Sequence, residues 1–261
     1  MLRPKFNPTH LVFWISTIST FVSASTNFAS NLASCTKQQE LDACLRKTLE
    51  ELRRLMPVGI PELGLNSSEP LHIENLHFLR KLEPIVVDSV LSQVVVTGLS
   101  EFQTRSISVD AKSQTLSLEI YVPKISIFGN YNIQGKIFVF PISGRGPFKS
   151  RLGGVTGSGG AEIVVVENAL NRKILSIQNT SIDFDINSIF VNMENLFGGA
   201  EQLFAETVNK FLNENSDVIL REIKPQIKGK MITIIERVLN DAFSQLPADD
   251  LIDNIHSRIS S

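Results

Sequence analysis

The chain has 261 residues, of which 43% are hydrophobic, and a formal net charge of -2. This length and apolar content are enough for one large domain or two small ones with a real hydrophobic core. The nearly balanced charge gives no support to a nucleic-acid partner. Sixteen Phe against one Trp and two Tyr favour an apolar interior, because Phe fills space without a polar group.

The N-terminal segment has the pattern of a secretory signal peptide. Basic residues precede an apolar run from Leu11 to Val22, and Val22-Ser23-Ala24 resembles a small-residue cleavage site. The run is short for a membrane span, although an uncleaved anchor is the alternative interpretation. We therefore predict a signal peptide at residues 1–24, one mature domain at residues 25–261, and a secreted, extracellular protein without stable membrane insertion.

The two cysteines of the chain, Cys35 and Cys44, are expected to form a disulfide in an oxidising compartment, with two free thiols as the alternative. Residues 36–39 also resemble a capping box that opens a helix running to Met56. Residues nine apart on one helix lie about 13 Å apart along its axis, whereas a disulfide needs Cα atoms within about 7 Å. We therefore expect the regular helix to begin nearer Leu41, with Cys35 folded back beside Cys44.

Two triplets have the acceptor pattern for N-glycosylation: Asn66-Ser67-Ser68 and Asn179-Thr180-Ser181. Such triplets also occur by chance. Because the chain is expected to be secreted, we predict that Asn66 and Asn179 are glycosylated.

Alternating apolar residues predict β-strands from about Ile85 to Val191, after a Pro- and Gly-containing connector at residues 59–71. Four segments show the alternation most clearly: Ser106–Asp110, Thr115–Val122, Ala161–Glu167 and Asn179–Val191. Three glycine-containing segments predict turns: Gly129-Asn130, Gly144 to Pro147, and residues 153–160. The pattern indicates an antiparallel meander of long strands.

Residues 130–146 depart from the alternation that a half-buried strand should show. One face carries apolar or small residues: Ile133, Gly135, Ile137 and Val139. The other face changes from polar to aromatic along its length: Gln134, Lys136, Phe138 and Phe140. The sequence therefore predicts a strand that is covered on both faces in its second half.

The last third of the chain has a helical period from Glu201 to Leu246. Its apolar residues form one stripe: Phe204, Val208, Leu212, Ile219, Ile223, Ile227, Met231, Ile235, Val238 and Ala242. Pro225 is expected to kink this helix without ending it, because the stripe resumes in phase. About 45 residues would make roughly 65 Å of helix, which fits a rod with a sheet wrapped along it.

Signals for catalysis, cofactors and metals are weak. His72 and His77 have no acidic or cysteine companion at metal-ligand spacing. The glycine-rich residues 153–160 lack the Lys-Ser/Thr of a phosphate-binding loop. Asp183 and Asp185 share one face of a predicted strand, which is an arrangement found in pairs of catalytic carboxylates, but solvent-facing positions explain them equally well. We therefore expect no enzyme, no cofactor and no metal site.

Four groups of residues occur together and in order. Two cysteines about nine residues apart precede a helix, and three motifs follow: Gly98-Leu99-Ser100, Gly129 to Lys136 with Pro141 to Gly146, and Leu212-Asn213-Glu214-Asn215. In this the chain resembles the insect takeout and haemolymph juvenile-hormone-binding protein family along essentially the whole mature sequence. The resemblance implies an α+β fold in which a strongly curved antiparallel sheet wraps a long C-terminal helix around a tubular apolar cavity, with a short N-terminal helix.

The resemblance also implies which residues line that cavity. The candidates are Phe138, Phe140, Val208, Leu212, Ser216, Ile219 and Ile223. For any single Phe, ordinary packing against another element is the alternative. Members of the family usually carry Trp directly after Asn-Glu-Asn, where this chain has Ser216. We therefore expect the cavity to extend toward Ser216.

By the same resemblance we expect a soluble carrier of a small lipophilic ligand, such as a terpenoid hormone like juvenile hormone, a fatty acid or a related lipid. An extracellular interaction or signalling protein with a structural or vestigial cavity is the alternative. We expect the small hydrophobic ligand as partner, no nucleic acid, and a monomer.

Overall fold

The computed structural model describes residues 34–35, 41–110, 113–168, 171–199 and 202–244. The predicted signal peptide, the capping-box residues 36–39 and Leu246 lie outside the described residues. The helices and strands of the described chain are α1 (Leu41–Leu55), β1 (Leu71–Leu82), β2 (Ile85–Thr97), β3 (Gln103–Asp110), β4 (Thr115–Ile137), β5 (Phe140–Glu167), β6 (Lys173–Met193), α2 (Gln202–Glu214) and α3 (Ser216–Ser244). Short 3-10 turns occupy Pro61–Leu63, Leu99–Glu101 and Phe197–Gly199.

The strands form one antiparallel sheet in the order β1-β2-β4-β5-β6, and β3 pairs with β4 beside this path. Strands β4, β5 and β6 contain 23, 28 and 21 residues, several times the usual five or six. Strands of this length twist and coil strongly. The sheet curls into a half-barrel, and the helices pack with it, which confirms the predicted α+β fold.

The predicted disulfide is confirmed, because Cys35 is bonded to Cys44 with Cα atoms 5.4 Å apart. Helix α1 is described from Leu41 to Leu55, and the expectation about where the regular helix begins falls on residues 36–40, which lie outside the described residues. Arg46 Nη1 on α1 donates a hydrogen bond to the Thr104 carbonyl of β3 at 2.6 Å. The disulfide therefore ties the segment before α1 to a helix that is itself anchored on the sheet.

Strand β1 was not predicted, since residues 59–71 were expected to lead directly to strands near Ile85. Its exposed positions include His72, Glu74 and His77, while its alternate positions are only half-buried. An edge strand with one solvent-exposed face has few fully buried apolar positions. The apolar alternation that predicts a strand from sequence is therefore weak in β1.

The three predicted glycine turns are wrong, because all three segments lie inside β4 or β5. The glycines are needed there for close approach of neighbouring strands. A Cβ on Gly146 would lie 2.5 Å from the Glu194 carbonyl oxygen, and one on Gly153 would lie 2.5 Å from Ser188 Oγ. Gly146 and Gly153 thus mark places where neighbouring segments leave no room for a side chain.

The prediction that residues 130–146 form one strand covered on both faces is wrong, because the change of pattern marks a hairpin turn. Strand β4 ends at Ile137, Phe138 and Val139 form a two-residue turn, and Phe140 opens β5 opposite Ile137. Val139, at the tip, is 82% exposed. The aromatic residues therefore belong to a hairpin turn, and Phe138 and Phe140 are not on one face of a single strand.

The predicted C-terminal helix consists of α2 and α3, which are separated at Asn215. Hydrogen bonds from Asn215 N to the Phe211 carbonyl and from Ile219 N to the Asn215 carbonyl, each 3.0 Å long, continue through the boundary. Pro225 lies inside α3, so the helix does not end there, as expected. The boundary at Asn215 was not predicted.

Candidate functional site

Helix α3 spans the open side of the curved sheet and contacts both of its edge strands. On the β1 side, Arg80 Nη2 donates to Glu222 Oε2 at 2.6 Å. On the β6 side, Lys224 Nζ lies 2.9 Å from Asp183 Oδ1. Since β1 and β6 are opposite ends of the strand order, the sheet and α3 together surround an interior.

Asparagine side chains of α2 form hydrogen bonds with the backbone N–H and carbonyl groups at the free edge of β6. The Asn213 side chain accepts from the Val191 N–H at 2.8 Å and donates to the Val191 carbonyl at 2.7 Å. Asn209 makes the same pair of bonds with Met193, both at 2.9 Å. An uncovered edge strand is a template for pairing with another strand. These amides therefore protect β6 and also fix α2 against it.

Helix α3 covers the sheet edges in the same way. The Asn240 side chain accepts from the Ile177 N–H at 2.7 Å and donates to its carbonyl at 3.2 Å. On the opposite edge, the Gln226 amide donates to the Leu79 carbonyl at 3.2 Å. The position of α3 is thus set by polar side chains that bind backbone groups on both edge strands.

One end of the interior, near the β4–β5 turn, is filled by apolar side chains. The buried members of this first cluster are Ile85, Val87, Tyr131, Ile137, Ile142, Leu196, Val208 and Leu212. Phe138 and Phe140 both lie against Phe211, with ring centroids 6.0 Å and 4.4 Å away. The aromatic turn and α2 therefore close this end.

The structure brings most of the predicted cavity residues into this one cluster. Val208 and Leu212 are buried members, and four others pack against them: Phe138, Phe140, Ile219 and Ile223. Ser216 is half-buried and opens α3 between Leu212 and Ile219. Within the described helix its hydroxyl makes no hydrogen bond to the Leu212 carbonyl. That these residues line a ligand cavity stays a prediction.

Two phenylalanines reach this end from strained backbone. Phe138 and Phe197 each have φ of 55°, a region that bulky residues rarely adopt. Phe138 N donates to the Pro84 carbonyl at 2.7 Å, and the Phe197 ring lies 4.7 Å from that of Phe204. Such strain persists where surrounding contacts impose it, so the packing of the rings holds these turns in place.

The middle of α3 carries apolar side chains that the first cluster does not cover. Ile223 packs against that cluster, and four-residue steps lead along the same face to Ile227, Met231 and Ile235. In α3, which is described over all 29 residues, only Ala242 is buried, and Met231 is 38% exposed. A stripe of this kind normally faces a packed core, so the protein's own side chains leave it incompletely covered.

The far end of α3 is packed again. Ala242 is buried with Leu55, Ile60 and Leu63, which belong to α1 and the turn after it. The uncovered apolar stretch of α3 therefore lies between two packed ends. The part of the interior that faces the middle of α3 is therefore the part best suited to apolar contacts with a bound molecule.

The Asp183 carboxylate joins β6 to α3 at the rim. Hydrogen bonds from Lys224 and Lys228 hold the pKa of Asp183 at about 2, and the bond with Asp183 raises the pKa of Lys224. Asp185, the other predicted carboxylate, is 88% exposed and lies 3.5 Å from Lys224. The two aspartates form ion pairs with helix lysines, which accounts for both without a catalytic role.

Tyr131 is the buried polar side chain of the first cluster, at 2% exposure. Its hydroxyl donates to the Glu194 carbonyl at 2.6 Å. Burial, together with the negative charge of Glu194, raises the pKa of Tyr131 to about 12. The hydroxyl is thus a neutral donor that fastens the end of β6 to β4.

The histidines and the groove on the outer face of the sheet are further candidate sites. The described residues contain no group of three or more metal-binding side chains, and His77 pairs with Asp88 across β1 and β2 at 2.7 Å. A groove of about 520 Å³ lies on the outer face of the sheet, where Asn132 and Arg145 contribute to its lining. It lies on the other face of the sheet from the apolar interior. None of the described helices has the length and hydropathy of a membrane span.

Sequence reasoning missed the polar residues that place the helices. Arg80 and Glu222 are 142 residues apart, and nothing local marks either as a partner. Asn209 and Asn240 occupy ordinary polar positions on their helices. Asn213 belongs to the motif Leu212-Asn213-Glu214-Asn215, and its two hydrogen bonds to Val191 explain why an amide is required there.

Comparison with known proteins gives the family. The profile of "Haemolymph juvenile hormone binding protein (JHBP)" matches residues 11–253. The "Circadian clock-controlled protein daywake" of Drosophila yakuba is 23% identical over 247 residues, which are 90% of this chain and 92% of that protein. A "Putative beta-carotene-binding protein" of Schistocerca gregaria is 30% identical over 110 residues, 40% of this chain and 41% of the relative.

The fold has a solved counterpart. The crystal structure of Epiphyas postvittana Takeout 1 superposes with a TM-score of 0.62 at 19% identity, and the match covers 86% of this chain and 94% of that one. At this identity the likeness is one of fold. Because the family profile spans nearly the whole chain, the protein belongs to the haemolymph juvenile hormone binding protein family.

Proposed function

We propose that this protein is a secreted carrier that holds a small lipophilic ligand against the uncovered apolar stretch of α3. The observation that carries the proposal is that stretch, which lies between two packed ends and under a sheet that curls to both sides of the helix. Membership of a hormone-binding family and a relative named for beta-carotene binding support it. A terpenoid hormone such as juvenile hormone, a fatty acid or a related lipid has the required chemistry.

Burial alone supplies enough free energy for such binding. A ligand with about 15 carbons gains roughly 12 kcal/mol at about 0.8 kcal/mol per methylene. Ordering the ligand and the protein offsets several kcal/mol of this, which leaves micromolar to nanomolar affinity. The ligand is held without conversion, because carriage requires no nucleophile or base.

Extracellular location fits the remaining features. The Cys35–Cys44 disulfide is typical of oxidising compartments, and Asn66 and Asn179 are both exposed. We propose that residues 1–24 are removed on secretion and that both asparagines carry glycans. N-terminal sequencing and the mass change on enzymatic deglycosylation of secreted protein test these two points.

The carrier function is tested with delipidated, folded protein and an apolar fluorescent probe. The wild type takes up the probe, and terpenoid and fatty-acid competitors displace it. The competitors are recovered chemically unchanged. Met231→Asp places a carboxylate on the uncovered stretch and weakens probe binding by about tenfold or more, because a charge is costly in apolar surroundings.

Thr233→Asp is the matched control, since it adds the same carboxylate at an exposed position of the same helix and leaves probe binding unchanged. Folded wild-type protein that takes up neither probe nor lipid would instead support an extracellular interaction protein with a structural cavity.

A further inference from the structure

The outer face of the sheet carries a row of cations along β5. Arg145, Lys149 and Arg151 are all exposed and stand an even number of residues apart, so their side chains share one face of the strand. Ile142, on the opposite face, is buried in the first cluster, so the cations point away from the interior. At the usual rise per residue, these three residues, the basic row, span about 20 Å.

No acidic side chain of the described chain pairs with the basic row. Cations elsewhere, such as Arg80, Lys136 and Lys224, form ion pairs with acids on neighbouring elements. No residue of the basic row forms one, although the Glu194 N–H binds the Pro147 carbonyl beside it. Because the whole chain has a net charge of -2, the row is a local concentration of positive charge on a slightly acidic protein.

Two exposed phenylalanines lie beside the basic row on the same face. Phe128 of β4 is the register partner of Lys149, and Phe190 of β6 is the partner of Arg151. The Arg151 guanidinium lies 4.9 Å from the centre of the Phe190 ring, which holds it along the surface of the sheet. Phe128 is 46% exposed, so its ring is accessible to a bound molecule.

The basic row leads into the groove on the outer face. Arg145 lines this groove together with amide and hydroxyl side chains: Asn75, Ser92, Asn130 and Asn132. Amides and hydroxyls both donate and accept hydrogen bonds, as sugar hydroxyls do. Groups that bind an uncharged polar backbone and groups that bind charged substituents therefore lie on one continuous surface.

We propose that the outer face of the sheet binds an extended sulfated polysaccharide, which runs from the groove along the basic row. The groove side chains bind sugar hydroxyls, the cations bind sulfate groups, and the Phe128 ring lies against the C–H face of a sugar. This site is separate from the apolar interior. The inference goes beyond the proposed carrier function and does not depend on it.

The shape of the surface favours a linear polyanion over a lipid bilayer. The inner face of the curved sheet surrounds α3, so the outer face is convex and meets a flat bilayer only along a narrow line. A single row of cations instead matches a chain of anions laid along β5, and guanidinium groups bind sulfate oxygens in pairs.

The spacing of the cations favours sulfate over carboxylate. Lys149 and Arg151 are about 7 Å apart. In an unsulfated acidic polysaccharide the carboxylates recur about once in two sugars, which is a wider spacing. A sulfated chain carries several anions over the same length and can pair with both cations.

The test uses the full secreted chain at neutral pH and four polyanions: heparin, unsulfated hyaluronan, poly-glutamate, and vesicles of equimolar phosphatidylcholine and phosphatidylserine. The wild type should bind heparin at least about tenfold more tightly than each of the others, although the protein and heparin both have a net negative charge. Heparin affinity should fall steeply with added salt, because pairing with a polyanion releases counterions.

The triple variant Arg145→Gln/Lys149→Gln/Arg151→Gln should lose about tenfold or more in heparin affinity, and the remaining affinity should depend less on salt. Phe128→Ala should lose about threefold with an unchanged salt dependence, because it removes a ring contact and no charge. The second variant and the wild-type comparison decide the inference if the triple variant does not fold.

The matched control is Arg54→Gln/Arg172→Gln/Lys173→Gln, which removes two arginines and one lysine from exposed positions outside the row. It has the same net charge as the first triple variant and should keep heparin affinity within about twofold of the wild type. Urea unfolding of both triple variants shows that each is folded.

Equal losses in the two triple variants, or no binding of heparin by the wild type, would overturn the site. Binding to poly-glutamate or to the vesicles as tight as binding to heparin would overturn the polysaccharide in favour of an acidic protein or a lipid surface. Equal affinity for hyaluronan would overturn the requirement for sulfate. None of these results bears on the carrier function, which the apolar probe tests separately.

Discussion

The side chain of Asn213 hydrogen-bonds both backbone groups of Val191, as donor to its carbonyl at 2.7 Å and as acceptor from its N–H at 2.8 Å. The helix residue thus takes the place of a neighbouring strand at the edge of β6. The relation places α2 in register with the sheet, because an amide can satisfy both groups of one residue only at one position along the strand.

Replacing Asn213 with Ala should therefore destabilise the fold well beyond the loss of a surface side chain. Two backbone groups of Val191 lose their partners, and at about 1–1.5 kcal/mol each the free energy of unfolding should fall by about 2–3 kcal/mol. Urea unfolding measures it, with Asn132→Ala on the exposed outer face as the control. Equal effects of the two substitutions would show that water replaces the amide at no cost.

Removal of the disulfide should lower stability by a predictable amount. Closing so short a loop contributes about 2.5–3 kcal/mol on the chain-entropy account, so the Cys35→Ala/Cys44→Ala double variant should lose about that much. Denaturant unfolding of oxidised wild type beside the variant gives the difference. Detection of two free thiols in denatured, unreduced secreted protein would remove the basis of this prediction.

Acid should weaken the contact between β6 and α3. The pKa of Asp183 is lowered in the folded protein to about 2 from an ordinary value of 3.8, so its contribution is complete above pH 3.8 and is lost as the pH falls toward 2. Asp183→Asn should flatten the stability profile in that range, while Asp185→Asn, at the more exposed carboxylate, should change it little. The midpoints of urea unfolding, measured across this pH range, test the prediction. High salt should reduce the pH dependence, because it screens the ion pairs.

Alkaline titration should show a tyrosine with a raised pKa. In a Tyr121→Phe background Tyr131 is the one remaining tyrosine of the two in the chain, and its absorbance change should be centred at about pH 12. Because the folded pKa lies above the unfolded value of about 10, the stabilisation is complete below pH 10 and is lost as the pH rises through 12. A transition near pH 10 in folded protein would contradict the buried hydroxyl.

Tyr131→Phe deletes only the hydroxyl that the Glu194 carbonyl accepts from. The free energy of unfolding should fall by about 1–2 kcal/mol, since a buried carbonyl loses its donor while the ring stays in place. Thermal unfolding compared with Tyr121→Phe measures this loss. Equal melting temperatures of the two variants would contradict it.

Ser216→Trp should alter which ligands bind. The family resemblance implies Trp at this position, and a ring here should narrow an interior that is predicted to extend toward Ser216. The longest ligands of a chain-length series should lose affinity while short ones keep it. Thermal unfolding must be measured alongside, because overpacking costs about 1–3 kcal/mol. Glu214→Trp, at an exposed position, is the control, and unchanged affinity and stability in Ser216→Trp would exclude a role in ligand choice.

The parts of the fold that were predictable are those that a local period encodes. The stripe through Val208, Leu212 and Ile223 repeats every three or four residues, and the alternation at Thr115–Val122 repeats every two. The Cys35–Cys44 disulfide was predictable from two cysteines in a chain that is expected to be secreted. The cluster around Leu212 was reached through the family resemblance.

The remainder depends on residues distant in sequence. A glycine in a turn and a glycine in a crowded strand have the same local surroundings, and only Glu194, across the sheet from Gly146, distinguishes them. The turn at Phe138 lacks the Asn or Gly that two-residue hairpins prefer, so aromatic packing in the interior overrides the local preference. The pairing of Arg80 with Glu222 likewise has no local signal.

Helix α3 is attached more weakly to one edge strand of the sheet than to the other. This difference determines which edge strand separates from α3 first. Within the described chain, β1 is fastened to α3 by side-chain bonds at Leu79 and Arg80, whereas β6 is fastened at several points from Asp183 to Ile177. Local opening begins where the fewest contacts must break. The β1 edge is therefore expected to separate from α3 first, while β6 stays bound to the helix.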